Sequence, residues 1–159
     1  MTGVSRGGAT QATKDRVITG LVRARRALLD AVDTLPPAER DTAFIGVWSA
    51  KELLAHLVGW DHTNQEAVGE ILAGRRPSFS RYRDHDWQTY NALLVERYRR
   101  DDWNELLELL DDSHRQLIAY LESVANEEYI RRRSIGRLLR FEARDEGVHR
   151  QQVEAFRER

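Results

Sequence analysis

Apolar residues recur at spacings of three and four along most of this chain, a period that predicts helices. Val17, Ile18, Leu21, Val22, Ala24, Leu28, Leu29 and Val32 mark one face of a first helix. Leu35-Pro36-Pro37 ends it, because proline cannot continue a helix and restrains the residue before it. Residues 1–9 are small, polar and glycine-rich, and are expected to form a disordered tail ahead of one domain spanning 10–159.

A second helix starts at Ser49, where Glu52 three residues on completes a capping box and Trp48 is placed to staple onto Leu53. It runs through Leu57, Trp60, Ala67 and Ile71 to Gly74, a C-cap residue. A polar loop with Pro77 follows. The third element covers about Asp86 to Val124 in two stripes, Trp87 to Tyr98 and Leu106 to Leu121. Asp102 and Glu105 repeat the capping spacing between them, which predicts a break near Arg100-Asp101. After a polar link over 126–133, the last helix runs from about Ile135 to Phe156. Thr42 to Trp48 is the one extended-looking stretch, too short for a sheet. Four long amphipathic segments predict an all-α four-helix bundle.

Composition sharpens this picture by exclusion. Apolar residues make up 41% and charged residues 32% of 159 positions, a globular balance. No apolar run approaches ~20 residues, and Met1 to Gly8 have no signal-like core, so a cytoplasmic protein off the membrane is expected. A net charge of −1 with interspersed signs argues against nucleic acid as the main partner. With no cysteine, the chain has neither a disulfide nor a thiol of its own.

The last helix carries the chemistry. At ~100° per residue, Ile135, Leu138, Phe141, Val148, Val153 and Phe156 fall on one arc. Asp145 and His149 fall near its middle, with Glu142 and Gln152 beside them. A carboxylate aimed into a core without a partner costs several kcal/mol, so something must compensate it. Two readings stand side by side: an i,i+4 ion pair at a solvated end, or two ligands presented on adjacent turns to one metal ion. A third ligand would then come from another helix. His56, at the edge of the second helix's apolar arc, is available for it, or is a boundary histidine bonded to a carbonyl or an acid. Two histidines, one carboxylate and an open position match catalytic zinc or 2-His-1-carboxylate iron sites. Trp60, Trp87, Tyr90 and Asn91 are candidates to line a pocket, or are plain core. His62, His85 and His114 read as surface or loop residues, and Arg131-Arg132-Arg133 as a solvated charge run or an anion-binding patch.

Trp48-Ser49-Ala50-Lys51-Glu52-Leu53-Leu54-Ala55-His56-Leu57-Val58-Gly59-Trp60-Asp61 resembles the second-helix signature of the DinB-like superfamily, and within it the ClbS/DfsB branch. Asp86-Trp87-Gln88-Thr89-Tyr90-Asn91 through Tyr98, then Ser113-His114 and Leu117, is similar to the same branch. Asp145-Glu146-Gly147-Val148-His149-Arg150-Gln151-Gln152 resembles the superfamily's last-helix motif, which normally reads His-x-x-x-His. The resemblance implies a DinB/YfiT-like, up-down-down-up-type bundle. It also implies a divalent metal, zinc or nickel, held by His56, Asp145 and His149. Asp145 stands where most members have histidine; the mycothiol-dependent maleylpyruvate isomerases place a carboxylate there. Relatives also suggest a homodimer. Two functions follow as expectations. One is a metal-assisted transferase or hydrolase acting on a small reactive molecule, with an exogenous thiol as a candidate co-substrate and Glu142 as general base. The other is a metal-free binding or self-protection protein of the ClbS/DfsB type.

Overall fold

Ser49 adopts an extended conformation, its hydroxyl accepts from the Lys51 amide, and the Glu52 carboxylate accepts from the Ser49 amide at 2.8 Å. These bonds satisfy the amides that a helix start leaves unpaired. They launch α2, Ala50–Leu72, which ends two residues before Gly74 at a positive φ of 73°. In the computed structural model, which describes residues 6–82 and 86–159, five other α-helices are present among the described residues. They are α1 (Arg6–Asp33), α3 (Trp87–Tyr98), α4 (Trp103–Ser123), the single turn α5 (Glu128–Arg131) and α6 (Arg133–Arg157). The expected break falls between α3 and α4, and Asp102 caps α4 by accepting from the Glu105 amide. The stretch from Thr42 to Trp48 is a tight turn closed by an isolated Ile45–Trp48 bridge around Gly46. No strand forms among the described residues, and none of their helices is long and apolar enough to cross a membrane.

The first correction concerns the start of α1. Residues 6–9, expected in the tail, are already helical, while residues 1–5 lie outside the described residues. Thr10 and Lys14 are buried, and the Lys14 ammonium donates to the Glu122 and Val124 carbonyls at the end of α4. A cation there satisfies open carbonyls and complements the negative end of the helix dipole. That docking outweighs the poor helix propensity of Gly7 and Gly8.

Cross-helix contacts fix the helix directions. Arg25 of α1 meets Glu146 of α6 and Thr13 neighbours Arg137, so these two run parallel. Asp61 of α2 meets Ser113 of α4 and Gly69 faces Tyr120, so these also run parallel. His56 opposes His149 while Ile71 binds Arg132, so α2 and α6 are antiparallel. The topology is up-down-down-up. α6 packs most broadly along α1 and meets α2 over a smaller area. α3 lies outside the bundle against α2 at Gly59, where an added Cβ would sit 2.6 Å from Leu94 Cβ.

The core is two apolar clusters with a polar layer between them. One cluster gathers Leu28, Leu54, Leu57, Leu106, Leu110 and Val153; the other gathers Leu21, Val68, Leu117, Leu121, Ile135 and Leu139. Each of the four long helices α1, α2, α4 and α6 contributes one residue to the layer: Arg25, Asp61, Ser113 and Glu146, all at most 3% exposed. A second correction concerns α6. Its buried stripe is Ile135, Leu139, Glu142, Glu146, His149 and Val153, a strict four-three alternation, whereas Phe141 and Val148 are 63% and 48% exposed. The apolar arc read from sequence is rotated from the true one, because three core positions are polar.

Candidate metal centre

The antiparallel pairing of α2 and α6 brings His56 against Asp145 and His149. His149 Nε2 lies 3.2 Å, and His56 Nε2 3.8 Å, from the same Asp145 Oδ2, and the imidazoles meet edge to face at 5.3 Å. All three ligand atoms lie within 4.8 Å of one another. Atoms ~2.1 Å from a common ion and ~90–110° apart are themselves ~3.0–3.4 Å apart, so a small inward adjustment closes the set around one ion.

The hydrogen bonding supports that fit. Both nitrogens of His56, and Nε2 of His149, are buried without a hydrogen-bond partner among the described residues. His56 Nε2, at 3.8 Å, lies beyond hydrogen-bonding distance of Asp145. Buried polar atoms normally find partners, and each one left without costs ~1–3 kcal/mol. His149 Nδ1 is 2.8 Å from Gln152 Oε1, which accepts the Nδ1 proton and leaves Nε2 as the ligating atom. His56 is packed against the Trp48 ring at 4.9 Å.

Electrostatics separate the three groups. Burial would raise the Asp145 carboxyl, but His149 and His56 beside it hold it below the usual carboxylate range. Burial lowers His56, and Asp145 does not offset this, so His56 stays neutral and free to ligate. Burial also acts to lower His149, yet Asp145, Gln152 and Glu146 outweigh it and raise its pKa. A cation arriving at this site therefore displaces a proton chiefly from His149.

Beside the ligands lies a cleft of about 690 Å³ between α2, α6 and the 3₁₀ turn Ser78–Tyr82. Trp60, one turn from His56, and Glu142, one turn from Asp145, line its inner end. Trp87 lines it as well. Tyr90 and Asn91 instead brace Trp60: Asn91 Oδ1 accepts from the indole N–H at 2.9 Å, and Tyr90 packs edge-on while bonding Thr63. Glu142 is buried with Oε1 unpartnered, and burial together with Glu146, Asp145 and Asp61 raises it well above the carboxylate range. The shift favours the protonated form of Glu142 beside the candidate ligands, the form that can donate a proton.

The polar layer went unrecognised in the sequence. Arg25 donates to Asp61 at 2.9 Å and to Glu146 at 2.8 Å, and Ser113 donates to Asp61 at 2.7 Å. The signal was present, since Glu146 sits four residues after Glu142 and seven before Val153 on the four-three stripe. His114, read as a surface residue, is half-buried 4.0 Å from Asp61, and burial with Arg25 nearby pushes its pKa down to about 4. His62 stacks on Tyr98, and His85 lies outside the described residues. Arg132 leaves the expected solvated run: it pairs with Glu128 and donates to the Ile71 carbonyl at 2.8 Å.

An up-down-down-up bundle with two histidines and an aspartate converging between α2 and α6 defines the class, a helical bundle with a candidate three-ligand metal centre. The family model of the DinB superfamily matches residues 21–153, a span holding all three candidate ligands and the whole polar layer, and the chain belongs to that superfamily. No curated protein and no solved structure matches it.

Proposed function

We propose that this protein is a metal-dependent enzyme, a transferase or hydrolase acting on a small reactive molecule, with His56, Asp145 and His149 holding a divalent zinc or nickel ion. The observation that carries the reading is the set of buried, unpartnered imidazole nitrogens aimed with one carboxylate at a common point. Members of the superfamily often bind metal, which supports the same reading. A bound divalent ion supplies Lewis acidity, lowering the pKa of a coordinated water or exogenous thiol. The chain's own residues do the rest. Gln152 fixes the His149 tautomer, and Trp60 and Glu142, each one turn from a candidate ligand, line the cleft's inner end.

The test is metal analysis of untagged protein expressed with zinc and nickel available, followed by turnover of reactive electrophiles with and without cellular thiols. One equivalent of metal and chelator-sensitive turnover are expected; less than about a tenth of an equivalent removes the reading. A metal-free binding or self-protection protein of the ClbS/DfsB kind then takes over. One observation favours it: Asp145 and His149 already compensate each other's charge without an ion.

A further inference from the structure

We propose that the cleft beside the ligands binds a planar aromatic organic anion, its rings against Phe79, Trp87 and Phe141, its charged group on Arg76 and Arg137, and a polar group toward Glu142. This deepens the enzyme reading and rests on it only for which end of the molecule reacts.

Shape and lining come first. At about 690 Å³ the cleft falls within the ~300–1,000 Å³ of small-molecule sites. Its walls are aromatic: Trp60, Trp87 and Phe79 pack in a mutual cluster with ring centroids 5.5–5.7 Å apart, and Phe141 stands opposite on α6. Phe141 is 63% and Trp87 37% exposed. Two large aromatic surfaces left open at one cleft favour a ligand with a flat apolar body.

Charge selects the rest. Arg75, Arg76, Arg132 and Arg137 line the cleft, and Glu142 is the sole acid among its described residues. Arg132 is engaged by Glu128 and Ile71, and Arg75 lies near Glu70. Arg76 and Arg137 form no hydrogen bond or ion pair among the described residues. Both are exposed, so they mark the mouth, while buried Trp60 and Glu142 mark the inner end. A guanidinium pairs bidentately with carboxylate, sulfonate or phosphate and also stacks on aromatic rings. The unpartnered Oε1 of Glu142 calls for a hydroxyl, carbonyl or amide at the far end.

The experiment uses chelator-treated full-length protein at low salt and two fluorescent probes. One is 1-anilinonaphthalene-8-sulfonate and the other its uncharged counterpart N-phenyl-1-naphthylamine. The sulfonate is expected to bind one saturable site about fivefold or more tighter than the amine, the worth of two exposed charge pairs. The Arg76→Ala/Arg137→Ala double variant loses that preference and keeps its affinity for the amine. Trp87→Ala weakens both probes. All three side chains are solvent-facing, and unchanged circular dichroism verifies the fold. Equal affinity for the two probes, a preference that survives in the arginine variant, or no saturable binding overturns the proposal. Because no metal is present, probe selectivity stands or falls separately from metal uptake in the same preparation.

Discussion

Arg25 and Glu146, 121 positions apart in sequence, meet at 2.8 Å in the middle of the bundle, where each is no more than 3% exposed. Asp61 holds the other side of the same guanidinium. Arg25 reaches across the core from α1, so one side chain compensates carboxylates from two other helices. Removing a single member of a buried charged set costs more than removing the set, because the remainder keeps its desolvation penalty. Arg25→Met is therefore expected to lower unfolding free energy by about 3–5 kcal/mol in urea denaturation. A loss under about 1 kcal/mol contradicts this role for the layer.

On the proposed reading, metal uptake depends on the geometry between α2 and α6. His149→Ala is expected to abolish binding of zinc or nickel while leaving the helical signal near wild type, since the two apolar clusters do not include the ligands. Gln152→Ala keeps all three ligands but frees the His149 ring. A drop of about 10- to 100-fold in affinity is expected by calorimetry. Full affinity in Gln152→Ala means that the glutamine does not orient the ligand.

Protonation competes with the metal. His149 has a raised pKa beside Asp145, so it holds its proton to higher pH than a free histidine. Metal affinity should accordingly fall as pH drops from about 8 toward 6, with proton release detectable on binding in weakly buffered solution. An affinity flat across that interval excludes His149 as a ligand that must lose a proton.

Glu142 gives a stability effect of definite sign. Its folded pKa is raised by burial and by Glu146, Asp145 and Asp61, with Arg25 opposing. The advantage of its protonated form is complete below the ordinary glutamate range and is lost as pH rises through the folded value. Glu142→Gln stays neutral throughout. In chelated protein it should match wild type near pH 4 and melt about 3 °C or more higher at pH 8. Equal melting temperatures at both pH values defeat the assignment.

The fold was legible because local signals agreed with one another. The Ser49–Glu52 box, the proline stop and the Asp102 cap each name a boundary that the backbone adopts. The three candidate ligands were legible because His56, Asp145 and His149 lie on recognisable motifs, and the structure brings these side chains together. What stayed hidden depends on partners far apart in sequence. Arg25 looks like any arginine on an amphipathic helix until Asp61 and Glu146 are placed around it. Periodicity misplaced the α6 core because it counts apolar residues, and that face carries two glutamates and a histidine. The early start of α1 likewise follows from Lys14 meeting the end of α4, a contact that local propensity cannot express.

Gly59 gives this architecture a point of leverage. The absent methyl lets α3 lie so close to α2 that Leu94 occupies the space a side chain would fill, with its Cβ 2.6 Å from where an alanine Cβ would stand. Trp87, Tyr90 and Asn91 ride on α3, and through them the orientation of Trp60 and the gap facing α6 are set. A wedge one carbon wide at residue 59 would tilt that whole wall while touching no ligand and no cleft-lining atom. The aperture of the cleft can thus be tuned from behind, independently of the chemistry it admits.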